Sequence, residues 1–148
     1  MVMFDQIYFR VVELSSAINA LLNVNPRIII NFGSVGSDPY GACMIISKKS
    51  AMYITLNFPE NFKWDKNNRV FVDMMLCHEY CHYIEDSLLF AKDREQSINN
   101  YLESAQLRAQ DERKTWRRTK ELAIQLGLWH KPFYNIVKKC MHASDIRY

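Results

Sequence analysis

Residues 77–82 read CHEYCH, and this short stretch decides how the rest of the chain is interpreted. It holds two histidines, His78 and His82, on either side of Glu79. At about 3.6 residues per turn, a gap of four residues rotates the second histidine only about 40° from the first. Both imidazoles then reach the same point beside the helix. The stretch therefore predicts a helix that carries a metal site.

The spacing of the three residues also predicts a reaction. Neutral imidazole nitrogens bind Zn²⁺, which lowers the pKa of an attached water towards about 7. Glu79 lies about 100° from His78 around the helix, so its carboxylate reaches this water rather than the metal. A carboxylate in that place takes the proton and passes it to a leaving amine. The pattern H-E-x-x-H predicts zinc ligands at His78 and His82, a general base at Glu79 and hydrolysis of a peptide bond.

The competing interpretation is a polar helix with two surface histidines and no metal. The helix face away from the histidines argues against it, because that face is apolar and can pack on a core while the histidines face a cleft. Its residues are Val70, Cys77, Cys81, Ile84 and Leu88. The strand predicted just before this helix, residues 51–57, is expected to form the sheet edge against which an extended substrate pairs.

Length and composition predict one domain, residues 1–148. The chain has 148 residues, of which 49% are hydrophobic, which suits a single core. We expect no export signal and no membrane span, because no apolar run approaches the about 20 residues that a membrane helix needs. Without an export signal, the four cysteines are expected to be reduced thiols in the cytoplasm.

The cysteines at 77 and 81 have a spacing that also suits a zinc knuckle. On a helix they lie about 100° from the histidines, and side chains on different faces cannot share one ion. Buried cysteine behaves as a small hydrophobic residue. We therefore assign all four cysteines to the core: Cys43, Cys77, Cys81 and Cys140.

Charge is unevenly distributed along the chain. Residues 1–86 hold seven basic and nine acidic residues, whereas residues 87–148 hold twelve and seven, so the C-terminal half could face an acidic partner. The basic residues cluster at Arg108, Arg113, Lys114, Arg117, Arg118 and Lys120. Acidic residues are interleaved with them, which favours a solvated surface over direct nucleic-acid binding. Binding to nucleic acid would weaken steeply with salt.

Periodicity and breakers predict the elements and the fold class. Helices are expected at residues 4–22, 69–88, 99–126 and 133–142, and strands at residues 27–32, 42–47 and 51–57. Residues 33–41 form a glycine-rich loop. The prediction is an α+β domain: an N-terminal helix, a small three-stranded, mostly antiparallel sheet, the H-E-x-x-H helix, a long helix with the third ligand and a short C-terminal helix.

From about residue 27 to residue 126, the chain resembles the small zinc metallopeptidases of the minimal gluzincin (thermolysin-like) type. The stretch is similar to phage- and plasmid-associated repressor-cleaving peptidases (ImmA/IrrE-like) and to SprT-like DNA–protein crosslink proteases. The resemblance implies that His78 and His82 bind zinc, that Glu79 is the general base and acid, and that a glutamate of the next helix is the third ligand. The chain lacks the third histidine that follows the helix in SprT-like enzymes and any recognisable DNA-reading module.

Three glutamates are candidates for the third ligand: Glu95, Glu103 and Glu112. Spacing favours Glu103, but helix geometry favours Glu112. On a helix over residues 99–126, Glu112 lies beside the apolar face and Glu103 across from it. A carboxylate beside an apolar face is costly unless it is paired or metal-bound. We expect Glu112, with Glu103 as the alternative and Glu95, which precedes the helix, third. The apolar face consists of Leu102, Ala105, Ala109, Trp116 and Ala123.

Other polar residues have open roles. Glu85 lies on the histidine face, where it could hydrogen-bond a ligand imidazole or form a solvated salt bridge. Three residues that follow the long helix are candidate donors to the transition-state oxyanion, and the sequence does not rank them: His130, Tyr134 and His142.

The function favoured by the sequence is a zinc-dependent endopeptidase that cleaves a specific cytoplasmic protein with a metal-activated water. The first alternative is a catalytically latent binding or regulatory protein with a metallopeptidase fold, of the kind that a phage could encode. The second is a zinc-stabilised structural or interaction protein. The oligomeric state cannot be inferred from the sequence.

Overall fold

The structure, a computed structural model, describes residues 3–33, 41–45, 52–90 and 105–143. Along the chain, the three strands follow the first helix and precede the second. The elements are α1 (Met3–Leu22), β1 (Arg27–Phe32), β2 (Gly41–Ile45), β3 (Met52–Phe58), α2 (Lys66–Phe90), α3 (Ala105–Gln125) and α4 (Lys131–Ala143).

Helix α1 packs on the core through one apolar stripe. Its buried residues are spaced by three or four, which places them on a single face: Ile7, Val11, Leu14 and Ile18. The helix ends where Asn23 adopts a φ of 54°. Asparagine tolerates this left-handed conformation better than most residues.

Helix α2 begins at Lys66 because Asp65 caps it. The Oδ1 atom of Asp65 accepts a hydrogen bond of 2.8 Å from the backbone N–H of Asn68, which would otherwise have no partner within the helix. The prediction placed the cap within residues 66–68 and the start at residue 69, so it was wrong by three residues. The aspartate, rather than the asparagines that follow it, supplies the capping oxygen.

Helix α2 is the central element of the molecule, since it contacts α1, α3, α4, β2 and β3. An ion pair joins it to α1. The guanidinium of Arg10 donates to both carboxylate oxygens of Asp73, with Nε 2.6 Å from Oδ1 and a terminal nitrogen 2.8 Å from Oδ2. About two turns further along α2, the hydroxyl of Tyr80 donates a bond of 2.7 Å to Asn19. These contacts fix the register of the two helices.

The sheet has the strand order β1-β3-β2. Six residue pairs join β1 and β3 in parallel, and five join β2 and β3 in antiparallel register. The central strand is covered on its inward face, where Ile54, Leu56 and Phe58 have no exposed surface.

The predicted fold class, an α+β domain with a mostly antiparallel sheet, is wrong. The described residues are mostly helical, and the longer strand pairing is the parallel one between β1 and β3. The physical reason is the position of β3. Strand β2 turns the chain back, and β3 then inserts between β1 and β2, so it runs in the same direction as β1.

The prediction that residues 51–57 form a sheet edge is also wrong. Strand β3 is hydrogen-bonded on both sides, by β1 and by β2, so its backbone cannot pair with a substrate. Within the described sheet, the edge positions belong to β1 and β2. Of these, β2 is the strand in clear contact with α2.

Helix α3 ends where the sequence predicted. Gly127 adopts a φ of 71°, and the backbone N–H of Leu128 donates a bond of 2.8 Å to the carbonyl of Ala123. Glycine adopts this conformation without a steric penalty, which explains the stop. Residues 99–104 of the predicted helix lie outside the described residues. Among the helices that are described, none combines the length and the apolar character needed to cross a membrane.

Candidate metal centre

Helices α2 and α3 bring together the three side chains expected to bind metal. Nε2 of His78 lies 3.2 Å from Oε2 of Glu112, and Nε2 of His82 lies 3.0 Å from Oε1 of the same carboxylate. One ligand atom from each residue lies within 4.8 Å of the others. The two histidines therefore face a single carboxylate on the neighbouring helix.

The donor set fits a divalent metal. Two imidazole nitrogens and a carboxylate oxygen are a known set of protein ligands for catalytic zinc. Nε2 of each histidine lies within reach of a different oxygen of the Glu112 carboxylate, so one ion between them could contact all three residues.

The far sides of both imidazoles face threonine hydroxyls of α3. Nδ1 of His78 lies 3.1 Å from Oγ1 of Thr119, and Nδ1 of His82 lies 3.4 Å from Oγ1 of Thr115. Both threonines are fully buried. They are four residues apart, as are the two histidines, so one turn of α3 matches one turn of α2.

Glu85 reaches the site through one of these threonines. Its Oε2 accepts a bond of 2.8 Å from the hydroxyl of Thr115, and its Oε1 lies 3.2 Å from Nε of Arg118. The two roles left open by the sequence are therefore combined: Glu85 forms an ion pair, and it is connected to His82 through Thr115.

An aromatic ring covers one ligand. The indole of Trp116 stacks on the imidazole of His78, with ring centroids 3.8 Å apart and an interplanar angle of 25°. The side chain of His78 is only 11% exposed, compared with 18% for His82 and 21% for Glu112. Access from solvent is therefore greater on the side of His82 and Glu112.

Burial and hydrogen bonding set the charges in the site. Burial lowers the pKa of His78 from 6.5 to about 4, although the hydrogen bond with Glu112 offsets part of this effect. Burial alone would raise the pKa of Glu112, but the hydrogen bonds with His78 and His82 outweigh it and hold that pKa well below its usual range. At neutral pH the site therefore contains an anionic carboxylate beside a neutral His78, as metal binding requires.

Glu79, the expected general base, is buried on α2 and is 6% exposed. Its side chain is therefore largely shielded from bulk water. The role of general base stays a prediction.

The cysteines of α2 are packed in the core. Cys77 and Cys81 are free thiols and buried, and burial raises the pKa of Cys81 to about 12 and that of Cys77 well above its usual value. Thiols in this state are poor metal ligands, since metals bind the thiolate. The core assignment is confirmed for these two residues. Cys140 is a free thiol that is partly buried against the core, and the side chain of Cys43 lies outside the described part of the chain.

The structure does not bring the proposed oxyanion donors into a described contact with the site. His130 packs on Phe133, and Tyr134 packs on Trp129, at the corner between α3 and α4. The side chain of His142 lies outside the described residues, as do Glu95 and Glu103. Glu112 is therefore the described member of the three candidate third ligands.

Sequence reasoning missed the part played by Thr119 and by its neighbour Thr115. A signal was present, because these residues follow Glu112 by seven and three positions, which places all three on one face of α3. A threonine in the middle of a helix is otherwise a moderate helix former. The spacing shows only that they share a face with Glu112, and their contact with the imidazoles depends on how α3 packs on α2.

Comparison with protein-family models, with curated proteins and with solved structures finds nothing that matches this chain. The resemblance to zinc metallopeptidases therefore stays a prediction. The geometry of the metal centre has to support any functional proposal by itself.

Proposed function

We propose that the chain is a zinc-dependent endopeptidase that hydrolyses a peptide bond of a specific cytoplasmic protein with a metal-activated water. The observation that carries the proposal is the convergence of His78, His82 and Glu112 from two helices, with separations of 3.2 and 3.0 Å from the carboxylate to the imidazoles. The free, buried thiols of Cys77 and Cys81 support a reducing compartment.

The roles of the residues follow from their positions. His78, His82 and Glu112 would hold the zinc ion. Bound zinc supplies Lewis-acid activation and lowers the pKa of water towards about 7. Glu79 would accept the proton of the attacking water as a general base. In its protonated form it would then donate this proton to the leaving amine as a general acid.

An extended peptide requires a strand edge on which to lie, and we assign that role to β2. Backbone hydrogen bonds along an exposed strand edge bind a peptide largely independently of its sequence. Strand β2 lies at an edge of the described sheet and contacts α2, the helix that bears Glu79. The proposed partner is therefore a protein or peptide substrate.

The test separates metal binding from hydrolysis. Glu79→Gln is expected to bind zinc with wild-type affinity and to lose cleavage of a fluorogenic peptide library by several orders of magnitude, because an amide cannot accept the proton. His78→Ala is expected to lose the metal as well. Comparing the proteomes of cells that express wild type and Glu79→Gln then identifies the substrate.

Each outcome selects one function. Cleavage that depends on zinc and on Glu79 supports the endopeptidase. Zinc binding without cleavage of the library or of any cellular protein supports the latent binding or regulatory protein. Equal cleavage by wild type and Glu79→Gln contradicts the assignment of the general base and, with it, the peptidase proposal.

A further inference from the structure

The hydroxyl proton of Thr119 is committed to its own helix. Oγ1 of Thr119 donates a bond of 2.7 Å to the backbone carbonyl of Thr115. A hydroxyl has one proton and two lone pairs. The contact of 3.1 Å between the same oxygen and Nδ1 of His78 must then be a bond in which the oxygen accepts. This requires the proton of His78 to be on Nδ1.

The hydroxyl proton of Thr115 is committed in a similar way. Oγ1 of Thr115 donates a bond of 2.8 Å to Oε2 of Glu85. An ionised carboxylate accepts hydrogen bonds and cannot donate one, and Glu85 is close to the cationic Arg118 at 3.2 Å. The longer contact of 3.4 Å with Nδ1 of His82 is therefore also one in which the hydroxyl accepts.

We infer that Thr115 and Thr119 are positioning residues that hold both ligand imidazoles in the tautomer with the proton on Nδ1. The Nε2 lone pairs of His78 and His82 are then left facing the carboxylate of Glu112. This inference rests on the proposed function, since it explains how the chain prepares its two histidines for the metal.

The arrangement is unfavourable until a cation enters it. With both protons on Nδ1, two nitrogen lone pairs face two carboxylate oxygens at 3.2 and 3.0 Å, and these acceptors repel one another unless a positive charge lies between them. The carboxylate of Glu112 competes for the same protons, because it accepts a hydrogen bond from Nε2 in the other tautomer. Moving each imidazole proton from Nδ1 to Nε2 would relieve this repulsion. The move would also break the hydrogen bonds from Nδ1 to the two hydroxyls, so the hydroxyls oppose it. The threonine hydroxyls thereby favour the tautomer that a metal requires, so that no imidazole proton has to move when the metal binds.

The two hydroxyls are held by different anchors. Thr119 is tied to a backbone carbonyl inside α3, whereas Thr115 depends on the side chains of Glu85 and Arg118, the latter 46% exposed. Its contact with the histidine is also longer, at 3.4 Å compared with 3.1 Å. Removing the hydroxyl of Thr119 should therefore weaken zinc binding more than removing that of Thr115.

The first experiment observes the tautomers directly. The chain is labelled with ¹⁵N-histidine, the metal is removed with a chelator, and two-bond ¹⁵N–¹H correlation spectra are recorded at pH 7. The chain has four histidines, and exposed His130 serves as an internal reference. We expect His78 and His82 to show a protonated Nδ1 and a lone pair on Nε2. A protonated Nε2 on His78 in the metal-free wild type overturns the inference.

The second experiment measures zinc affinity by competition with a chromogenic chelator. Thr119→Val preserves the shape of the side chain but removes the hydroxyl, and we expect it to bind zinc about 10–100-fold more weakly. Thr119→Ser keeps the hydroxyl and should recover most of this loss. Thr115→Val should show a smaller loss than Thr119→Val.

The matched control is Ser16→Ala on α1. Ser16 makes the same kind of bond, from its hydroxyl to the carbonyl of Val12 at 2.8 Å, but no histidine lies beside it in the described contacts. Its removal should leave zinc affinity unchanged. Wild-type affinity in a folded Thr119→Val, or equal losses in Thr119→Val and Thr119→Ser, contradicts the inference.

These results are distinguishable from failure of the proposed function. If the wild type binds no zinc, the peptidase proposal fails, while the spectra of the metal-free protein still decide the tautomers. If the wild type binds zinc and hydrolyses peptides but Thr119→Val does so equally well, only the positioning role is lost. If Thr119→Val does not fold, the spectra of the wild type decide the inference.

Discussion

The indole of Trp116 lies face to face with the imidazole of His78, with ring centroids 3.8 Å apart. The indole is 4% exposed, so it shields one face of the histidine from water. Zinc binding at Nε2 would place positive charge on an imidazole that is already in contact with an aromatic ring. Such charge is attracted to the face of an indole, and it also changes the excited state of that indole.

We therefore expect zinc to quench the fluorescence of Trp116. The chain has three tryptophans, and the double variant Trp64→Phe/Trp129→Phe leaves Trp116 as the single emitter. Adding zinc to this variant should lower the emission in a saturable manner, with an equimolar end point, and a chelator should restore it. The measurement needs no substrate, so it is independent of hydrolysis.

Trp116→Phe is the control for the fluorescence experiment. It retains Trp129, which lies under the ammonium group of Lys120 at 5.4 Å and packs on Phe133 at the corner between α3 and α4. Emission from this variant should not respond to zinc. A response as large as that of the double variant would mean that zinc binds near another tryptophan.

The third ligand can be tested by charge-neutral substitutions. Glu112→Gln removes the carboxylate that faces both imidazoles, and we expect zinc affinity to fall by more than about 100-fold, beyond the range seen when partners of ligands are removed. Glu103→Gln, which tests the alternative ligand, should bind zinc like the wild type. Isothermal titration calorimetry measures both.

Glu121→Gln provides a surface control on the same helix, because Glu121 is exposed on α3. It should have no effect on zinc affinity. Loss of zinc in Glu103→Gln but not in Glu112→Gln would show that the inward face of α3 had been assigned wrongly.

The helices could be predicted from the sequence because their signals are local. The apolar stripe from Ile7 to Ile18 and the stop at Gly127 both act within a few residues, and both appear in the structure. The pairing of the strands could not be predicted, because it depends on which strand inserts between the others. Strand β3 pairs on both sides, and no residue in it encodes its two partners.

The three positions of the candidate metal centre were predictable for a related reason. The spacing of His78 and His82 fixes their common face, and helix geometry places Glu112 beside an apolar surface. The two threonines were not found, because a threonine has no distinctive chemistry until its neighbour is known. Their role depends on the register between α2 and α3, which is a property of packing.

Acid should destabilise the metal-free protein over a defined range of pH. The pKa of His78 is lowered from 6.5 to about 4 in the folded state, so between these values the unfolded chain binds a proton that the folded chain does not. The free energy of unfolding then falls as the pH falls, by at most about 1.4 kcal/mol per pH unit for this group. Glu112, whose pKa is lowered, adds a loss of the same sign at lower pH.

Urea denaturation of the chelator-treated protein at several pH values measures this effect. In His78→Gln the decrease between pH 6.5 and pH 4 should be shallower, since that variant lacks the histidine, while the remaining carboxylates are common to both proteins. Parallel curves for the two proteins would show that His78 is not responsible.

The ion pair between Arg10 and Asp73 should contribute to stability without affecting metal binding. Their side chains are 13% and 8% exposed, so removing one partner leaves a charge with little access to water. We expect Asp73→Asn to lower the free energy of unfolding by about 3 kcal/mol. Zinc affinity of the folded variant should stay at the wild-type value, because the pair joins α1 to α2 at a distance of more than one turn from His78.

A double variant separates the cost of a broken pair from the value of an intact one. Arg10→Met/Asp73→Leu removes both charges and fills their space with apolar groups, which is often neutral or stabilising for a buried pair. It should therefore be more stable in urea than Asp73→Asn. Glu13→Gln tests the other partner of Arg10, a carboxylate that is 69% exposed, and should have little effect, because solvent screens such a contact. If the double variant unfolds as easily as Asp73→Asn, the lost hydrogen bonds of the pair, rather than the Arg10 charge left without Asp73, account for the decrease in the free energy of unfolding.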